Sequence, residues 1–218
     1  MPINFEKKCI FVHIPKTGGS SILTQLKFKK SLYTLWSDKI VLAKKKQVFF
    51  IPIQLKQNGR LQHMPAQMIK EMRPDIYRKF YKFAVVRNPY TKMLSEYSWR
   101  NKFNPKFATY SNEEHKINFE QYLSAVEKGE IKSFREYSQY QYLYGPKGKL
   151  LVDCVIRFEN FEEGCKEIFK KLGVEYDTIL HVNKPKVILD KNYILDEKNK
   201  ERIYKLYKID FITFGYEK

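Results

Sequence analysis

The apolar residues of this chain fall into a recurring order: a short, nearly continuous run, a polar turn, then a stretch whose apolar positions recur with the helical period. Cys9 to Ile14 (CIFVHI) is the first such run, and its β-branched residues fit a strand buried on both faces of a parallel sheet. Ser20 to Lys30 (SSILTQLKFKK) follows with Ile22, Leu23 and Leu26 at helical spacing, a serine placed as N-cap and lysines in the last turn. Tyr81 to Val86 (YKFAVV) repeats the strand pattern. After Arg87 and Asn88, Pro89 fits the first turn of a helix through Met93, Leu94 and Tyr97. Asp153 to Phe158 (DCVIRF) is a third strand, leading into a helix over Phe161 to Leu172 closed by Gly173. Strands alternating with helices predict an α/β fold: a three-layer sandwich with a central, mainly parallel sheet flanked by helices.

The remaining segments add detail. Val48 to Ile53 (VFFIPI) reads as a further strand weakened by Pro52, and Asn101 to Asn112 as a surface loop. Glu114 to Lys128 and Asp196 to Tyr207 have the period of amphipathic helices, whereas His181 to Asn192 has no clear period and reads as an ordered loop. No internal repeat or low-complexity linker interrupts the 218 residues, so residues 1–218 are expected to form a single domain.

Charge changes the picture less than it first suggests. Forty-one Lys and Arg against 24 Asp and Glu leave +17, which points to anionic partners such as nucleotides, nucleic acid, acidic polysaccharide or a membrane surface. An AT-rich genome, which inflates Lys, Ile, Phe and Tyr together, accounts for the same excess equally well. The runs KFKK (27–30) and KKK (44–46) read as solvated faces. Cys9, Cys154 and Cys165 are odd in number and widely spaced, which indicates free thiols in a reducing compartment. No signal peptide and no stretch of ~20 uncharged apolar residues is apparent, so no membrane span and a cytoplasmic location are expected.

The chemistry concentrates in HIPKTGGSSI, His13 to Ile22, between the first strand and the first helix. A Gly-rich turn at that place is a ready anion site, because the first backbone N–H groups of a helix have no partner within it. Gly18 and Gly19 let the backbone approach a phosphate, Thr17, Ser20 and Ser21 add hydroxyls, and Lys16 adds a mobile charge. The loop is P-loop-like but departs from the ATP-binding pattern GxxxxGK[ST], since its lysine precedes the glycines. No acidic residue stands clearly placed as a Mg²⁺ ligand, so a metal-free phosphate site is expected.

HIPKTGGSS and VVRNPYTKMLSEY (85–97) resemble the two donor-binding signatures of the sulfotransferases that use 3′-phosphoadenosine 5′-phosphosulfate. The likeness is to the carbohydrate branch with the heparan sulfate 2-O- and chondroitin-type enzymes. It extends through SQYQYL (138–143), VIRFENFEE (155–163), HVN (181–183) and LYKIDFITFGY (206–216), thus over most of the chain. The resemblance implies that PKTGGSS holds the 5′-phosphosulfate, with Lys16 near the bridging oxygen of the leaving group, and that Arg87 and Ser95 bind the 3′-phosphate. An Arg fork at a strand's C-terminal end suits that task, and both phosphate ends would then lie at one sheet edge, where open α/β folds bind ligands.

Transfer of a sulfuryl group to a hydroxyl also needs a base. Among the four histidines, His13 reads as a packed strand residue and His115 as an exposed one. His63, in RLQHMPAQMI, lies before Pro65, a fitting first helical position, in the interval where similar enzymes carry an essential His, and an ordinary histidine pKa of ~6.5 suits general-base work. His63 is therefore expected to be the base, with His181 in HVN as the rival. The implied acceptor is a hydroxylated small molecule or glycan, acidic glycans included, with contacts in loops such as 56–60 and 101–112. Unlike animal Golgi members, the chain shows no anchor, which implies a bacterial or viral enzyme. Two other classes remain open: a small-molecule or nucleotide kinase, from the Gly-rich loop, and a nucleic-acid-binding module, from the charge, although no recognised binding motif supports the latter.

Overall fold

The computed structural model of the protein describes residues 3–27, 63–103, 118–131, 137–175 and 195–218. Strands β1 (Ile3–Asn4), β2 (Cys9–Val12), β3 (Tyr81–Val86) and β4 (Cys154–Arg157) form one sheet in that spatial order. The last three run parallel, with Phe11 opposite Phe83 and Ala84 opposite Val155, while β1 pairs antiparallel with β2. The three expected strands are thus present. The first ends at Val12, so that His13 and Ile14 belong to the loop, and the third is one residue shorter at each end. β1 is a strand the sequence does not predict, because two residues are too short to carry a period.

β2 and most of β3 bury both faces, as their continuous apolar runs require, whereas in β4 only Ile156 is buried. Ile10, Val12, Ala84 and Val86 enter one core with the helices α2 (Ala66–Met72), α3 (Pro74–Lys79), α4 (Pro89–Phe103), α5 (Phe119–Glu127), α6 (Gln139–Leu143) and α8 (Glu197–Phe214). Cys9, Phe11, Phe83, Val85 and Ile156 enter the other, covered by α1 (Gly19–Gln25) and α7 (Phe161–Lys171). The result is a three-layer sandwich. Each large side chain fully withdrawn from water on either face, such as Phe11 or Phe83, contributes about 1.5–3 kcal/mol to holding the layers together.

Helix ends depart from expectation where packing decides them. The N-cap of α1 is Gly18, left-handed at φ 82, not a serine, and the helix ends at Gln25, before any lysine. Pro65 caps α2 from just outside its first turn. α7 stops at Lys171 because Gly173 turns left-handed (φ 62), letting Val174 N–H donate to the Phe169 carbonyl (2.9 Å) and Gly173 N–H to that of Lys170 (3.2 Å). α4 continues to Phe103, into the stretch expected to be a loop, and α5 begins at an Asn118 capping box shared with Gln121. α8 runs past Tyr207 to Phe214, with Tyr207 itself off helical dihedrals (φ −120, ψ 25). The expected strand 48–53, the loop 181–192 and the lysine runs at 28–30 and 44–46 lie outside the described residues.

Candidate active site

The loop between β2 and α1 turns twice through left-handed backbone, at Lys16 (φ 67) and Gly18 (φ 82). Packing explains both glycines. A Cβ on Gly19 would overlap the His13 ring, and one on Gly18 would lie 2.8 Å from the edge of Phe161. Thr17 is fully buried and its hydroxyl donates to the Ile14 carbonyl (2.9 Å), so this proton serves the loop's own turn. Ser20 is exposed and Ser21 nearly buried. At Gly18 and Gly19 the backbone carries no Cβ because the Phe161 and His13 rings fill those places, and Lys16 and the exposed Ser20 lie beside them.

Arg87, the first residue after β3, reaches this loop. Its Nη1 donates to the Lys16 carbonyl (3.1 Å), its Nε to Thr91 Oγ1 (3.0 Å), and the guanidinium lies 4.4 Å from the Phe158 ring centroid. Burial pulls its pKa down, while the Glu159 carboxylate and Tyr216 push it back up; a guanidinium keeps its charge under such shifts. Ser95 lies one helical turn beyond Thr91 on α4, half-buried, and Trp99 one turn further, with Lys16 Nζ 5.8 Å from the Trp99 ring centroid. Positions 91, 95 and 99 share one helix face. The structure brings Lys16, Arg87 and this face of α4 together, although Arg87 engages Thr91 and not Ser95.

His63 is buried at the base of the loop. Its Nδ1 lies 3.0 Å from the His13 carbonyl oxygen, and its ring 4.4 Å from the His13 ring, which is the ring packed against Gly19. A carbonyl can only accept, so Nδ1 carries the hydrogen of this bond. His115 and His181 lie outside the described residues.

Several residues that build the site have no counterpart among the expected ones. The Gln139 side chain is fully buried; its Oε1 accepts from Arg87 N–H (2.8 Å) and its Nε2 donates to the Arg87 carbonyl (2.7 Å). Glu159 accepts from Asn88 N–H (2.8 Å) and from the Tyr216 hydroxyl (3.0 Å). Burial, with the Glu159 carboxylate beside it, raises the pKa of Tyr216, and the Arg157 guanidinium lies 4.3 Å from its ring centroid. The segments SQYQYL, VIRFENFEE and FGY thus converge on Arg87 and Asn88. Asp210, whose carboxylate accepts from Gln139 N–H (2.8 Å), is the one that left a trace in the sequence: an acid at helical core spacing with Ile203, Tyr207 and Phe211.

Among the described residues, no three His, Cys, Asp or Glu side chains are grouped to hold a metal ion, and no helix is long and apolar enough to cross a membrane. All three cysteines are free thiols. Compared with known proteins, the chain matches the profile of the sulfotransferase family over residues 2–217. It is also similar to an uncharacterized protein of Archaeoglobus fulgidus, 24% identical over 131 residues that make up 60% of this chain and 97% of that protein.

Proposed function

The chain belongs to the sulfotransferase family, and from that premise we propose that it transfers a sulfuryl group from 3′-phosphoadenosine 5′-phosphosulfate to the hydroxyl of a carbohydrate acceptor. The observation that carries this reading is the hydrogen bond from Arg87 to the Lys16 carbonyl (3.1 Å), which joins the two signature segments at one edge of the parallel sheet. A donor with phosphates on both the 3′ and 5′ positions of its ribose needs two neighbouring cationic subsites. The residues fit it: a backbone without Cβ atoms at Gly18 and Gly19, with Lys16, Ser20 and Ser21, for one end, and Arg87 with Ser95 for the other. When bound, this donor supplies an activated sulfuryl group on a phosphate leaving group.

The protein's own residues then divide the work. His63 takes the acceptor hydroxyl proton at Nε2, the nitrogen left basic by the hydrogen bond of Nδ1 to the His13 carbonyl. Lys16 sets its ammonium against the charge that grows on the departing phosphate, and Arg87 fixes the far end of the donor, so that catalysis is mainly positioning and electrostatics. Thr17 shapes the loop through its bond to the Ile14 carbonyl. No metal ligand enters this scheme. The sequence likeness to the carbohydrate branch supports the choice of acceptor, the +17 charge suits an acidic one, and the free thiols suit the cytoplasm.

Calorimetric titration with adenosine 3′,5′-bisphosphate, the expected product, tests the reading. Binding without Mg²⁺ that weakens about tenfold or more in Arg87→Ala, the loss of a charge-assisted contact, is expected. Binding of ATP with Mg²⁺ in place of the bisphosphate would overturn the proposal in favour of a kinase.

A further inference from the structure

The donor reading makes Arg87 a binding residue, and its backbone lies just past the β3–β4 ladder, which ends at Val86 opposite Arg157. Beside the bond of Asn88 N–H to Glu159, two buried residues distant in sequence hold it there. The Gln139 amide meets Arg87 as a neighbouring strand would, accepting from its N–H at 2.8 Å and donating to its carbonyl at 2.7 Å, one residue past the last ladder position of β3. Gln139 is in turn held by Asp210 on α8, whose two carboxylate oxygens accept from Gln139 N–H (2.8 Å) and Tyr140 N–H (2.9 Å) at the start of α6. Gln139 is 0% and Asp210 1% exposed, so water cannot replace these bonds.

We propose that Gln139 and Asp210 are positioning residues for donor recognition: they set the Arg87 backbone so that its guanidinium meets the 3′-phosphate, and they do so without touching the donor themselves. The arrangement is a chain of fixed contacts from the C-terminal helix to the loop: Asp210 to Gln139, Gln139 to the Arg87 backbone, and the Arg87 guanidinium to the Lys16 carbonyl. An alternative in which Gln139 only satisfies buried backbone groups predicts lost stability but unaltered discrimination. This inference rests on the donor reading, and the two separate experimentally.

The test compares affinities for adenosine 3′,5′-bisphosphate and adenosine 5′-monophosphate, whose ratio isolates the 3′-phosphate. In Gln139→Met, which keeps the volume and removes both bonds, the ratio is expected to fall about tenfold, the equivalent of one charge-assisted hydrogen bond, with monophosphate affinity near that of the wild type. Asp210→Asn, which turns an amide N–H toward a backbone N–H, is expected to move the ratio in the same direction and carries the test if the first variant does not fold. A general loss of folding lowers both affinities alike and leaves the ratio intact. An unchanged ratio in the folded variants would overturn the positioning role alone. A wild-type protein that does not prefer the bisphosphate would overturn the donor reading, and this inference with it.

Discussion

At the scale of single residues, Lys16 and His63 make the sharpest claim, because their expected effects fall on turnover and not on donor affinity. Lys16→Ala should lower kcat by about 10²–10³, the usual loss when a group stabilising transition-state charge is removed, and change bisphosphate affinity much less. His63→Ala should lower kcat by about 10²–10⁴ with bisphosphate affinity retained. Steady-state rates beside product titrations check both. Near-normal turnover in His63→Ala would move the base role to His181, and a Lys16→Ala effect confined to affinity would end its assignment to the leaving group. What sequence offered here was contiguous: Lys16, Gly18, Gly19 and Arg87 sit in two short segments that the structure brings together. Thr17 shows the limit, since composition cannot tell a hydroxyl turned inward onto the Ile14 carbonyl from one turned toward a ligand. Gln139 was out of reach for a different reason: its role arises from contacts with Arg87, 52 residues away, and with Asp210, 71 residues away.

Among the elements, the three parallel strands were legible and most helix ends were not, the Gly173 close of α7 excepted. A strand buried on both faces must be apolar throughout, so the pattern states its own location, whereas the start of α1 is set by how closely the loop packs on His13 and Phe161. The docking of α8 on α5 was equally hidden: apolar contacts in the shared core join them, with an exposed pair of Lys198 and Glu120 (3.3 Å) and a better-shielded one. Arg202 grips Glu127 through Nε to Oε1 (2.9 Å) and Nη2 to Oε2 (2.6 Å), with Nη2 also donating to Ser124 Oγ (2.8 Å). Hydrogen bonding to Arg202 holds the Glu127 carboxyl below its ordinary pKa. A carboxyl with a lowered folded pKa contributes stability above its unfolded pKa and loses it as pH falls through the folded one. Arg202→Lys, which cannot form the fork, should therefore cost about 1 kcal/mol near neutral pH, partial exposure keeping the value small, and close to nothing in strong acid. Chemical denaturation at several pH values checks this; an equal loss at all pH values would mean that the packing of the arginine stem matters and the ion pair does not.

For the whole molecule, the repeated strand and helix pattern predicted the three layers, but not that the C-terminal helix closes over the site's supports. α8 contributes Ile203, Tyr207 and Phe211 to the core on one side of the sheet, Asp210 to the hold on Gln139, and, just beyond its end, Tyr216 to Glu159. The folded core and the anchoring of Arg87 thus depend on the same helix. A chain ended at Tyr207 loses Phe211, 2% exposed, and a buried aromatic removed from a core costs about 3–5 kcal/mol, against a total stability of about 5–15 kcal/mol for a domain. Asp210 and Tyr216 go with it, leaving the buried N–H of Gln139 without its partner. The shortened chain is expected to lose cooperative unfolding and bisphosphate binding together, whereas the full chain should unfold in a single transition. Calorimetry and titration of the two chains decide the matter: a shortened protein that melts cooperatively near the full-length midpoint and still binds the bisphosphate would show that the strands and the loop stand without α8.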